Sequence, residues 1–285
     1  MAVAEMRKLN LVAMSYDRDE ILNALQRTGA AEIKSHTCTE NAVPLELDGS
    51  ALSEAAARTE RALEILEAGI DEYNKENKIK TDDLKNGFTV TYSEFMSAGY
   101  SKERADAVTE RIFSLDAERK MLTGRISKLG EDLASATIYS KLLRPFSDYR
   151  DRSRVRVRLG VISSAAAENL NALSADEPFA FEVLNVEDGN SLIACAFHKF
   201  FEGDNALGAL NFAQCPYSEG TGAGLCEKYR AEREEAKARL KEIANKFKEL
   251  GEEIKTLKIY CDYLLFELEK LDAGGKMLKT DATFL

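Results

Sequence analysis

The sequence predicts an α+β chain in which two small α/β lobes, the distal one ferredoxin-like, are joined by a long antiparallel coiled-coil hairpin of helices. Three patterns predict it. Leu240, Ile243, Phe247, Leu250, Ile254, Leu257, Cys261, Leu264, Leu268 and Leu271 follow one another in alternating steps of three and four. That repeat keeps one narrow stripe of a helix facing a partner and winds the two helices around each other. A second seam lies upstream, through Ala105, Val108, Ile112, Leu115, Leu122, Ile126, Leu129, Leu133, Ala136 and Leu143, broken at Arg119 and Ser140. Between the seams, residues 153–217 change to the short alternating runs and turn signals of a small mixed lobe.

The first forty residues read strand, helix, strand. Arg7 to Met14 holds a short apolar run, and Asp17 and Glu20 have the spacing of a capping box. Ile21, Leu22 and Leu25 give a helical stripe that Gly29 stops, and Ala31 to Ser35 reads as a second strand. One helix on two strands leaves apolar surface uncovered, so this lobe borrows strands from elsewhere. A helix follows from Leu52 to about Asn77, with weaker periodicity. Residues 78–100 are polar, with Asn86-Gly87 as a turn signal. Ser101 is placed to cap the next helix, which runs to about Leu143 before Pro145 and would measure about 60 Å at its length.

From Arg154 to Val161 the chain alternates like a strand, and Ala165 to Leu173 is helical. Phe179 to Val186 and Leu192 to Phe197 are strands joined through Asp188-Gly189, a hairpin signal. Asn205 to Phe212 reads as a helix, and a last strand falls near Cys215, completing β-α-β-β-α-β. Gly220-Thr221-Gly222-Ala223-Gly224 links to the helix of 225–272, which Gly274-Gly275 ends. The predicted division is therefore 1–50 with 276–285 as a proximal lobe, 51–150 as two long helices, 151–218 as the distal lobe and 219–275 as the returning helix.

Composition excludes several roles. Charged residues reach 31%, Trp is absent and there are four prolines, a composition of long helices rather than loops. The net charge of −10 argues against nucleic acid as a partner and against attraction to an anionic membrane surface. Five cysteines form no CxxC pair, and the N-terminus lacks a basic-then-apolar leader, so a reducing cytosol is expected. No apolar run is long enough to span a bilayer, which needs about eighteen residues or more.

Candidate sites are few. The glycine cluster precedes a helix, where backbone N–H groups can hold an anion, yet it lacks the lysine and hydroxyl residue of a P-loop and reads as a hinge. Arg150, Arg152, Arg154, Arg156 and Arg158 share one parity, with Val155, Val157, Leu159 and Val161 on the other. They form either a solvated face balanced by carboxylates such as Glu182 or a surface that docks an acidic helix. Phe200, Phe201 and Leu207 belong to an aromatic-rich stretch from which exposed anchors for a partner would come. His36 and His198 lack companions at metal-ligand spacing, and the acidic residues alternate with Lys and Arg on helix faces. No catalytic residue, cofactor or metal is expected.

Met6-Arg7-Lys8-Leu9-Asn10-Leu11-Val12-Ala13-Met14, then Asp17-Arg18-Asp19-Glu20-Ile21-Leu22-Asn23-Ala24-Leu25-Gln26 and Gly29-Ala30-Ala31-Glu32-Ile33, resemble the start of rotary V/A-type ATPase subunit I, the prokaryotic relative of eukaryotic subunit a. The order of lobe, long helix, lobe and returning helix extends the resemblance through the chain. It implies a non-enzymatic stator arm on the cytoplasmic side of a proton- or sodium-translocating complex. Its lobes would hold peripheral-stalk heterodimers, and possibly the central-axle cap subunit, against rotor torque. The family's membrane domain, with its essential arginine, is not contained in residues 1–285, so no arginine here takes that role. A monomer is expected. The rival readings are a coiled-coil adaptor or dimerisation arm, a nucleotide-binding enzyme using residues 220–224, and an RNA-binding helical arm.

Overall fold

The computed structural model describes residues 7–35, 43–79, 88–171 and 178–279. The helices α1 (Arg18–Thr28), α2 (Ser50–Glu76), α3 (Tyr92–Ser97) and α4 (Lys102–Thr137) occupy the first half, with β1 (Val43–Pro44) between α1 and α2. Then come β2 (Val155–Ser163), α5 (Ser164–Ala167), β3 (Phe179–Glu187), β4 (Asn190–His198), α6 (Gly203–Ala209) and β5 (Ala213–Gln214). The long helices α7 (Gly222–Leu250) and α8 (Ile254–Gly275) follow, then β6 (Leu278–Lys279). The fold class is α+β. The chain divides into two compact units, residues 1–117 with 244–285, and residues 118–243.

In the first unit, α2 buries Ala56, Thr59, Ala62, Leu63, Leu66, Gly69 and Ile70, a stripe at three- and four-residue spacing. The stripe meets α8 and the end of α7 in antiparallel register. Cys261 Sγ lies 3.9 Å from the Ala56 carbonyl, Lys258 pairs with Glu67 at 2.6 Å, and the Phe247 ring lies over Gly69. So α2 is a principal partner of the downstream seam here, beside the helix from Ser101 that carries the second seam. That helix also contributes: Arg104 forks onto both Glu253 oxygens at 2.6 and 3.1 Å, and Arg58 of α2 pairs with Glu110. Such exposed pairs are worth about 0–1 kcal/mol each, so they set register more than they stabilise. Phe95 adds edge-on contacts to Tyr263 and Phe266 at 6.1 and 5.4 Å.

The start of this unit departs from expectation. Residues 7–14 and 31–35 are irregular, and Leu9, Leu11, Val12 and Met14 are exposed. The ladder described in this unit is two residues long, β1 antiparallel to β6 with Val43 opposite Lys279. A strand forms only where a neighbour accepts its backbone groups, and among the described residues neither apolar run has one. Asp17 makes no side-chain cap because a 3₁₀ turn, Ser15–Asp17, winds directly into α1 and holds it in a helical conformation. Gly29 does close α1, with φ +61° and its N–H on the Gln26 carbonyl. Residues 1–6, 36–42, 80–87, 172–177 and 280–285, which carry His36, Cys38 and the Asn86-Gly87 turn, lie outside the described residues.

The second unit holds a four-stranded antiparallel sheet in the order β3-β4-β2-β5. Each of its two β-α-β passages is split by a strand inserted between its ends, the succession predicted for this stretch. Asp188 and Gly189 have φ of +49° and +76°, the conformation a two-residue hairpin turn demands. One face of the sheet packs on α5 and α6 through Ile162, Phe179, Ile193, Phe197 and Leu207. The other face, with Leu159 and Leu192, packs on Ile138, Tyr139, Leu142 and Phe146.

A bulge between Val183 and Asn185 turns the buried Asn185 amide toward the end of α4, where it donates to the Ile138 carbonyl at 2.9 Å. Antiparallel contacts between α4 and α7 run through Glu118–Arg239, Arg125–Glu232 and the Cys226 thiol on the Ala136 carbonyl.

Two helix boundaries move. α4 ends at Thr137, and Leu143, assigned to the seam, is 98% exposed beyond it. The returning helix is interrupted by a 3₁₀ turn at Gly251–Glu253, where glycine's low helix propensity lets the last turn of α7 tighten.

Candidate functional site

The arginine run occupies the start of β2, in the second unit. β2 runs antiparallel to β4 with Val155 opposite His198 and Arg158 opposite Cys195, so Arg156 and Arg158 share the face that carries Ile162 and α6. Arg158 reaches Asp204 of α6 at 2.9 Å through Nε and Asp151 at 2.8 Å through Nη1, and its guanidinium lies 6.0 Å from the Phe197 ring centre. Arg156 reaches the other Asp204 oxygen at 3.0 Å. Burial works to lower the Arg158 pKa, but the Asp204 and Asp151 carboxylates outweigh it and the group is held more firmly charged than usual. The Val157 backbone N–H, and then Arg158, hold Asp151 below the ordinary carboxylate range.

The carboxylates that balance these two arginines are therefore Asp204 and Asp151, where the sequence names Glu182. Arg156 and Arg158 tie β2 to α6, while Arg152 and Arg154 precede the strand and are exposed. Arg154 lies beside the next cation, since the Lys199 N–H donates to its carbonyl at 3.2 Å.

The aromatic candidates separate as well. Phe200 is 93% exposed, its ring 5.1 Å from that of His198 and its N–H directed at His198 Nδ1. Phe201 is half-buried and packs edge-on against Phe179 and Phe197 at 6.3 and 6.2 Å. Leu207 is 2% exposed, a core residue of α6 and so not a surface anchor. Position in the sequence cannot separate 200 from 201; the turn after β4 does.

The glycine cluster is not a loose link. α7 begins at Gly222, so the cluster's second half is already helix, and Thr221 Oγ1 accepts the Gly224 N–H at 3.2 Å. A Cβ on residue 222 would overlap the backbone carbonyl of Tyr139, so close packing of two chain segments demands this glycine. The Phe146 N–H donates to the Gly220 carbonyl at 2.9 Å and fixes the other end.

The downstream seam residues Leu240, Ile243, Phe247, Leu250, Ile254, Leu257, Cys261, Leu264, Leu268 and Leu271 are all buried or half-buried. So are Val108, Ile112, Leu115, Leu122, Ile126 and Leu129 upstream. Among the described residues no group of three His, Cys, Asp or Glu side chains is placed to hold a metal ion, and no helix is long and apolar enough to cross a membrane. An open groove of about 710 Å³ in the first unit is lined by Tyr92, Met96, Tyr100 and Tyr263 together with small polar residues. It contains no acid–base pair or nucleophile poised beside a base. Burial drives the Cys195 thiol up to about 12 and the Cys261 thiol up to about 11, away from nucleophilic chemistry.

Neither a family model nor a curated relative matches the chain. Among solved structures it is similar to one described as the cytoplasmic N-terminal domain of subunit I, homolog of subunit a, of V-ATPase. That match has 16% identity and a TM-score of 0.46, and covers 92% of this chain and 86% of that one.

Proposed function

We propose that this chain is the cytoplasmic stator arm of a rotary V/A-type ATPase, a non-catalytic part that holds peripheral-stalk heterodimers and links them to the membrane domain. The observation that carries the reading is the way each unit clamps its long helices. Seam residues are buried while Arg–carboxylate pairs cross between antiparallel helices on the outside, Arg104–Glu253 in one unit and Arg125–Glu232 and Arg239–Glu118 in the other. Packing of this kind resists bending and sliding, the demand that torque makes on a stator. The residues resembling subunit I between 6 and 33 support the same reading. In it, residues 1–50 with 276–285 act as a proximal lobe, 151–218 as a distal lobe, and the intervening helices as the coiled coil that transmits load.

The experiment is calorimetry of the purified chain against peripheral-stalk heterodimers, with and without ATP. Binding that needs no nucleotide is expected. Failure of the chain to bind any stalk heterodimer overturns the proposal.

A further inference from the structure

We infer that the β2–β4 end of the sheet is a docking surface for an acidic protein segment, with Phe200 as the apolar anchor and Arg152, Arg154 and Lys199 as the cations around it. The inference rests on the stator reading for its choice of partner, and on the structure for its chemistry.

The chain carries a net charge of −10, so a cluster of cations is a local reversal of its field. The nearby carboxylates do not cancel it. Asp204 is taken by Arg156 and Arg158, and Asp151 by Arg158 and the Val157 N–H, while Glu202, which accepts the neutral Asn205 amide at 2.9 Å, leaves one negative charge against the three outer cations. Among the described residues no carboxylate pairs with Arg152, Arg154 or Lys199, and all three are exposed. The internal ion network thus absorbs Asp204 and Asp151 and leaves the outer cations to an incoming anion.

The turn that presents Phe200 to solvent has a fixed backbone. Its N–H points to His198 Nδ1 at 3.4 Å, the next N–H (Phe201) donates to the His198 carbonyl at 2.9 Å, and the Phe201 ring is sunk among Phe179 and Phe197. A turn whose backbone is fixed before binding loses little freedom when its exposed ring is covered, which suits an interface anchor. The guanidiniums of Arg152 and Arg154, on the segment whose Arg154 carbonyl accepts the Lys199 N–H, can each take a carboxylate through two parallel hydrogen bonds. Three cations and one ring suit a compact protein contact. A nucleic-acid surface draws its affinity from a larger array, of the order of 6–10 phosphate contacts.

The test uses the full chain, an Arg152→Glu/Arg154→Glu variant, a Phe200→Ala variant and a Lys128→Glu control at another exposed site. Calorimetry measures binding to the peripheral-stalk heterodimer and to a synthetic Glu-rich helical peptide at two salt concentrations. All altered side chains are exposed, and unchanged far-UV circular dichroism verifies folding. Affinity for the heterodimer is expected to fall about tenfold or more in the charge-reversal and Phe200 variants and to stay unchanged in the control, with wild-type binding weakened by salt.

Equal binding of the heterodimer by wild type and variants overturns the docking surface and leaves the stator reading standing. Peptide binding that depends on the arginines, with no heterodimer binding, supports the surface and overturns the stator reading. Retention of an RNA duplex or phosphatidylserine vesicles through these arginines, with neither acidic protein probe bound, overturns the inference.

Discussion

Phe247 and Gly69 offer a sharp check on how the seam is packed. Phe247 is 1% exposed, and a Cβ placed on residue 69 would come 2.8 Å from its Cγ and 3.1 Å from each Cδ. Phe247→Ala removes a fully buried ring and should cost about 3–5 kcal/mol. Gly69→Ala alone combines two opposed effects. The helix gains about 0.8–1 kcal/mol in propensity, and overpacking against the fixed ring costs about 1–3 kcal/mol, so the net change is roughly zero to 2 kcal/mol destabilising.

In the Phe247→Ala background there is no ring to meet. The propensity gain survives, and the new methyl refills part of the space at about 0.8 kcal/mol per buried carbon, so the same substitution becomes stabilising by about 1–2 kcal/mol. Urea unfolding of the four proteins, followed by far-UV circular dichroism, closes the cycle. Hydrogen exchange of the α2 amides near Gly69 assigns the change to this contact. A Gly69→Ala effect of the same sign and size in both backgrounds refutes the packing argument.

Four further outcomes are expected. Gly222→Ala should destabilise the second unit by about 1–3 kcal/mol, because the methyl meets backbone at Tyr139 rather than a side chain that can turn away. Gly124→Ala, on an open face of α4, should be neutral to stabilising by up to about 1 kcal/mol in the same urea titration.

Asn185→Leu leaves the Ile138 carbonyl without its side-chain donor and should cost about 1–3 kcal/mol, read as a lower urea midpoint. The Asp151 pKa is depressed in the fold, so its contribution is present above the ordinary carboxylate pKa of about 3.9 and is lost as pH falls through the lower folded value. Asp151→Asn should therefore flatten the decline of melting temperature across that acidic window and leave the pH 7–8 slope unchanged. An unchanged acidic slope refutes the assignment.

Much of the fold is legible in the residues. The hairpin at Asp188-Gly189 needs two positive φ angles, and local chemistry declares it. The spacing of the apolar residues from Leu240 to Leu271 gives the inward face directly, because side-chain direction along a helix follows from backbone geometry. The run from Arg7 to Met14 is apolar enough to be a strand, but pairing is a property of two segments, and composition does not report the second. α2 carries the opposite lesson: its many alanines blur the stripe, yet they let the helix come close to α8.

The site divides along the same line. By itself the sequence determines that Arg156 and Arg158, within one strand, share a face, that the chain is acidic elsewhere, and which helix faces turn inward, because these depend on neighbours a few positions away. Only the tertiary structure decides that Asp204, forty-six residues from Arg158, takes up both of those arginines and leaves Arg152 and Arg154 outside. It alone separates Phe200 from Phe201 and sets α2 against the seam. Each of these outcomes depends on distances through space between groups far apart in the chain, where charge and packing act and sequence spacing carries no record.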